Sequence, residues 1–154
     1  MSKPLKKKAD PTAYKVPRNF KLLDELEMAE KDKHGKKYGD ESAWINLGLN
    51  GQDATFTHWN ASIIPHQGGH IGERIYNLKI TAGPGYPDDP PLVRFVQKVA
   101  MPCVNAKGQV EYSKLKNYKW TEESSIFEVL LAVRKMMQPY AQACAKIKAG
   151  TTYN

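Results

Sequence analysis

The chain reads as an α+β domain: an N-terminal helix, a four-stranded antiparallel meander, an irregular loop, and a C-terminal helix or helices. Three observations predict this. Leu22, Leu23, Leu26 and Ala29 form an apolar stripe at helical spacing. Segments rich in aromatic and branched residues then follow one another, parted by turn chemistry. Ser125-x-x-Glu128 is a capping box that opens a second apolar stripe.

Order is expected to begin near Val16-Pro17-Arg18-Asn19-Phe20, with Pro17 suited to the first turn of a helix, where its missing N–H costs nothing. The helix runs to about Lys31, with Asp24, Glu25, Glu27 and Lys31 expected in water. Asp32 to Gly39 reads as a lysine- and glycine-rich loop. Strands are expected at Ala43–Leu49, Thr55–Ile64 and Arg74–Ala82, and Asn50-Gly51 is a strong hairpin signal. Leu92–Val96 makes the fourth strand; Pro84, Pro87, Pro90 and Pro91 before it prevent regular ladder bonding there. Gln97 to Lys119 shows no sustained period, and Trp120 closes that segment. In the second helix Ile126, Val129, Leu130, Val133 and Met137 supply the buried face, and Pro139 kinks or ends it.

A chain of 154 residues with 41% hydrophobic content can bury a sizeable core as one domain, without disulfides. Cys103 and Cys144 lack metal-type spacing, and with no signal peptide they are expected reduced, in a cytoplasmic and nuclear protein. No apolar run approaches the roughly 18 residues of a membrane span, so no membrane partner is expected. The net charge is +7, but Lys3, Lys6, Lys7 and Lys8 crowd a tail assigned to residues 1–14, leaving residues 15–154 as the domain. That basic, disordered tail fits a nuclear localisation signal, non-specific attraction to polyanions, or a plain solvated extension.

Tyr86-Pro87-Asp88-Asp89-Pro90-Pro91-Leu92-Val93-Arg94-Phe95 resembles the Tyr-Pro-x-x-Pro-Pro-x-x-x-Phe signature of the ubiquitin-conjugating enzyme fold. In active members a His-Pro-Asn triplet follows, and the thioester-forming cysteine stands about eight positions past its Asn. Here the triplet is Met101-Pro102-Cys103, and 103 + 8 = 111 is a glutamate. A thiolate attacks well and leaves readily from its thioester. An acyl-Glu111 would be a hydrolysable mixed anhydride. The oxyanion-steadying Asn is gone as well, and losing such a donor costs roughly 100- to 1,000-fold in rate. The chain is therefore not expected to be an enzyme: catalytic residues none, metal none, cofactors none.

Val16-Pro17-Arg18-Asn19-Phe20-x-Leu22-Leu23-x-Glu25-Leu26-Glu27, Glu73-Arg74-Ile75-Tyr76-Asn77-Leu78 and Gly150-Thr151-Thr152-Tyr153-Asn154 resemble the cysteine-less ubiquitin-conjugating enzyme variants that assemble lysine-sixty-three-linked ubiquitin chains. The resemblance covers roughly residues 15 to 154. It implies a heterodimer with an active ubiquitin-conjugating enzyme, and weak, noncovalent binding of acceptor ubiquitin. For the partner enzyme it implies Phe20 as the inserted side chain, flanked by Pro17, Arg18, Asn19 and Leu23; for acceptor ubiquitin it implies Asn46, Ser62 and Ile75. It suggests DNA damage tolerance or inflammatory-type signalling as the pathway.

The loop Pro65-His66-Gln67-Gly68-Gly69-His70 departs from the family's glycine-proline wording, and its glycines do not hold His66 and His70 on one face for a metal. Two rivals stay open. One is a module of the endosomal sorting type that binds proline-motif peptides or ubiquitin; such proteins carry long additional regions, whereas this chain is expected to stop soon after its second long helix. The other is an active ubiquitin-like conjugating enzyme working through Cys103, which Glu111 argues against. Nucleic acid ranks lower, because the folded part lacks a basic and aromatic stripe.

Overall fold

A computed structural model describes residues 16–31, 33–65 and 74–153. The expected tail and His66–His70 lie outside the described residues. Helix α1 is Val16–Glu30, and the short α2 is His34–Tyr38. Strands β1 (Ile45–Leu49), β2 (His58–Ile63), β3 (Tyr76–Thr81) and β4 (Leu92–Phe95) pair antiparallel in the order β1-β2-β3-β4. Helix α3 is Ile126–Met137, and a 3₁₀ turn at Gln138–Tyr140 leads to the short α4, Ala141–Ala145. Among the described residues no helix is long and apolar enough to cross a membrane.

The alternation along β2 and β3 sends Trp59, Ala61 and Ile63, with Tyr76, Leu78 and Ile80, to one side of the sheet. There they join Ile126, Val129, Leu130, Val133 and Met137 of α3 in a single core. Ser125 caps α3 as its sequence predicts, its Oγ accepting from the Glu128 N–H at 3.2 Å. The Glu128 carboxylate accepts from the Tyr38 hydroxyl at 3.2 Å. Pro139 ends α3 by falling within the 3₁₀ turn. Arg134, buried on α3, reaches Glu41 at 2.9 Å and the Ile64 carbonyl at 2.9 Å, tying the helix to the segments just before β1 and just after β2.

Several boundaries differ from the sequence reading. The segment 32–39 is not all loop, because α2 occupies most of it. His34 is buried and stacks on Phe127 of α3, with ring centroids 3.7 Å apart and planes 11° apart, and Tyr38 stacks on the same ring at 5.3 Å. This packing overrides the local lysine and glycine signal. The first strand begins at Ile45, since Asp40–Trp44 is a 3₁₀ turn. The second begins at His58, because Asp53 organises the residues before it. Its carboxylate accepts from the N–H groups of Thr55 (3.0 Å), Thr57 (3.1 Å) and His58 (2.8 Å). Partial burial raises the Asp53 carboxyl, and the hydrogen bonds from Thr55, His58 and Thr57 outweigh that, holding it at about 2. Gly51 turns with φ +65°, yet residues 50–57 form a longer connection than a two-residue hairpin. Phe56 takes the left-handed φ of +55°, and its carbonyl accepts from Trp59 Nε1 at 2.9 Å.

Glu25 is the largest departure. Expected in water, it is 8% exposed, because acceptors for its neighbours were needed inside: one oxygen accepts from the Ile126 N–H at 2.9 Å and the other from the Tyr86 hydroxyl. The segment 97–119 is irregular as read, with one 3₁₀ turn at Tyr112–Lys114. Trp120 closes it by donating Nε1 to the Pro87 carbonyl at 2.7 Å, its ring 5.6 Å from that of Tyr86.

Candidate functional site

Three places carry the residues singled out above. The first is Glu111, at the position where the family resemblance implies a nucleophile. Asn105 folds residues 101–111 back on themselves: its Oδ1 accepts from the N–H groups of Lys107 (2.9 Å) and Gln109 (3.0 Å), and Val104 bridges Val110. The Glu111 N–H then donates to the Cys103 carbonyl at 2.7 Å, so the triplet and the eighth position after it do meet in space. Met101 is buried and Pro102 exposed.

The chemistry there is poor in nucleophiles. Glu111 turns outward and pairs with Lys114 at 3.0 Å; both side chains are well exposed, so the pair contributes little. Cys103 has no exposed surface. Burial pushes its thiol above the usual range, and the negative charge of Glu111 pushes the same way. Burial raises the Cys144 thiol too, despite the Ala100 N–H at 3.3 Å and the nearby Arg74 charge. A protonated, enclosed thiol is neither a good nucleophile nor reachable by an acyl donor.

The second place is the first two turns of α1. Phe20 is 64% exposed and Leu23 37% exposed, and their spacing of three makes them neighbours on the helix surface. Pro17 is exposed and Asn19 half-buried. Arg18 does not join them, for its side chain is 1% exposed. Its guanidinium faces inward: Nε donates to Gly83 O (2.9 Å), Nη1 to Thr55 O (2.8 Å) and Asn19 Oδ1 (2.7 Å), and Nη2 to Ala82 O (2.7 Å) and Thr57 Oγ1 (3.3 Å). A cluster of carbonyls at the end of β3 and in the 50–57 connection attracts the cation away from the surface.

The third place is the outward face of the sheet. The register pairs Asn46 with Ser62, and Ser62 in turn with Asn77. Ile75, two residues before Asn77, therefore points to the same side, and it is 55% exposed. Asn46 on β1, Ser62 on β2 and Ile75, just ahead of β3, thus share one face. Arg74 fixes the chain beside Ile75 by donating to the Cys144 and Ala145 carbonyls, both at 3.0 Å. Asn77 was not among the residues singled out, although counting by two from Ile75 reaches it; its N–H donates to Gln97 Oε1 at 2.7 Å. Asp53 was also missed, and the Asp-x-Thr spacing of an Asx turn marks it.

Comparison with known proteins agrees with this geometry. The family model described as ubiquitin-conjugating enzyme matches residues 27–154. The ubiquitin-conjugating enzyme variant MMS2 of Saccharomyces cerevisiae is 38% identical over 143 residues, covering 90% of this chain and 98% of the relative. The ubiquitin-conjugating enzyme spm2 of Schizosaccharomyces pombe is 41% identical over 125 residues, 80% of this chain and 86% of the relative. The solved structure of human ubiquitin-conjugating enzyme E2 G1 superposes with a TM-score of 0.60 at 22% identity, over 80% of this chain and 97% of that one, which bears on the fold alone. The chain belongs to the ubiquitin-conjugating enzyme family, among its variants.

Proposed function

We propose that this protein is a non-catalytic cofactor. It forms a heterodimer with an active ubiquitin-conjugating enzyme and holds acceptor ubiquitin so that lysine sixty-three of that ubiquitin attacks the partner's thioester. The observation that carries this reading is Glu111: it stands hydrogen-bonded to Cys103 where an active relative would carry its nucleophile, while the thiols of the described residues are buried. Similarity to a ubiquitin-conjugating enzyme variant over 90% of the chain supports it.

Such a cofactor acts by proximity. A weakly bound lysine amine presented to a thioester gains effective concentration, and well-oriented groups reach on the order of 10⁵ M or more. Phe20 and Leu23, with Pro17 and Asn19 beside them, form the surface for the partner enzyme, and Asn46, Ser62 and Ile75 form the surface for acceptor ubiquitin. Residence in both cytoplasm and nucleus, and a role in DNA damage tolerance, belong to the same reading.

The test is di-ubiquitin formation with activating enzyme, ATP, ubiquitin and a chain-specific conjugating enzyme, with and without this protein, beside a reaction containing this protein alone. Stimulation that needs the partner and vanishes with a lysine-sixty-three-to-arginine ubiquitin supports the proposal. A reducible ubiquitin adduct on this chain alone refutes it and points to a cysteine. No effect in any lane moves the proline-motif binding module to first place.

A further inference from the structure

We infer that Arg18 is a positioning residue for Phe20, setting from inside the protein the pose in which that ring meets the partner enzyme, and that the 53–57 segment is part of the same device. The inference rests on the reading that Phe20 docks on the partner.

The geometry is that of a bolt. A guanidinium has five N–H donors in a fixed fork, and each of the five in Arg18 has an acceptor. Those acceptors lie in three segments: Asn19 beside it on α1, Thr55 and Thr57 before β2, and Ala82 and Gly83 after β3. The first turn of α1 is thereby fixed to two connections that meet each other, since the Ala82 N–H donates to the Thr57 carbonyl at 2.7 Å. That first turn itself contains no acidic residue, and the first N–H groups of a helix have no partners within it, so helix starts fray unless something holds them. Phe20, two residues on and 64% exposed, has little packing of its own to orient it. Its direction is that of the backbone Arg18 holds.

The 53–57 segment presents the acceptors. Asp53 gathers the N–H groups of Thr55 and Thr57 and the Thr55 hydroxyl (2.6 Å), and the two threonine hydroxyls lie 2.7 Å apart. Thr55 O and Thr57 Oγ1 are thus held in place by contacts that do not involve the guanidinium. Asp53 and Arg18 form one chain of fixed contacts ending at Phe20. Lysine at position 18 would keep the charge but not the fork, since its three donors radiate from one nitrogen and cannot span acceptors on three segments.

The experiment is calorimetry of the active conjugating enzyme against wild type, Arg18→Lys, Asp53→Asn, Phe20→Ala and the Arg18→Lys/Phe20→Ala double variant. Alongside it, ubiquitin is titrated into each variant while amide resonances of residues 75–81 are followed. We expect Arg18→Lys and Asp53→Asn to weaken the partner roughly tenfold, the scale of a hot-spot ring moved off its pocket. Ubiquitin binding at the sheet face stays as in wild type, which general loss of fold would not allow. On the Phe20→Ala background, Arg18→Lys adds less than about twofold, because residues acting through one another are not additive. In chain synthesis the concentration of this protein giving half-maximal rate rises while the plateau is unchanged. Partner affinity like wild type in Arg18→Lys and Asp53→Asn, with Phe20→Ala weak, overturns this inference alone; an undiminished effect of Arg18→Lys without the Phe20 ring, or a parallel loss of ubiquitin binding, also overturns it. Wild-type affinity in Phe20→Ala overturns the docking role of Phe20 and this inference with it.

Discussion

Glu25 on α1 accepts the backbone N–H of Ile126, the first residue of α3, at 2.9 Å, across 101 positions of sequence. One helix therefore helps to cap another, alongside Ser125. Its second oxygen accepts from the Tyr86 hydroxyl, so the same carboxylate also secures the proline segment, and Lys21 approaches to 3.7 Å. An anion at a helix N-terminus is favoured by the helix dipole as well as by the hydrogen bond. Three elements meet on this one side chain.

Glu25→Ala should therefore destabilise the fold by about 2–4 kcal/mol, the cost of leaving two buried donors without partners. The acid dependence has a definite sign. Burial raises the Glu25 carboxyl above its ordinary 4.5, and the hydrogen bonds from Tyr86 and Ile126 and the charge of Lys21 draw it back only in part. The folded state thus keeps this proton to higher pH than the unfolded chain does. Its stabilising contribution is complete below 4.5 and is lost as pH rises through the raised value. Denaturant melts of wild type and Glu25→Gln across that range should show the difference shifting in favour of Gln as pH rises; curves that stay parallel would contradict the assignment.

Phe20→Ala removes an exposed ring, so thermal unfolding should be nearly unchanged, within about 0.5 kcal/mol. Affinity for the partner enzyme should fall at least about 30-fold, or about 2 kcal/mol. Calorimetry on the folded variant decides this, and unchanged affinity would show that the ring plays no part in docking.

Replacing Ser62 by Arg and Ile75 by Ala together should raise the acceptor-ubiquitin concentration needed for half-maximal chain synthesis by about tenfold or more, on the scale of losing interface contacts of this type. Heterodimer affinity should not change, because both residues lie on the outward sheet face and neither on α1. Chain synthesis indifferent to the double substitution would remove that face from the mechanism.

Cys103 and Cys144 are buried with raised thiols, so iodoacetamide should modify the native protein at least about tenfold more slowly than the denatured chain. Mass spectrometry over time reads the two rates. Rapid labelling of Cys103 in the native state would revive it as a candidate nucleophile.

The outline of the fold was legible because its signals are local. A helical stripe such as Leu22 to Ala29, a capping serine such as Ser125 or a period-two run such as Tyr76-Asn77-Leu78-Lys79-Ile80 depends on neighbours within about four residues, a distance any reader of the chain can span. The meeting of Glu111 with Cys103 was legible for the same reason: the two lie eight positions apart in a segment whose turn chemistry brings them together. Register was not legible, and with it the fact that Asn46 and Ser62 face one another.

Charge was where local reading failed. Glu25 and Arg18 have the composition of surface residues, and α2 has the lysines and glycine of a loop. Their burial was decided by partners far along the chain: Ile126 and Tyr86 for Glu25, Ala82 and Gly83 for Arg18, Phe127 for His34. A charged side chain is stable inside only where several hydrogen-bonding groups converge on it, and convergence of distant segments exists only once the chain has folded. The sequence by itself determined the long helices, the four strands and the family; the tertiary structure decided which charged residues became internal struts, and so which side chains of α1 stay exposed.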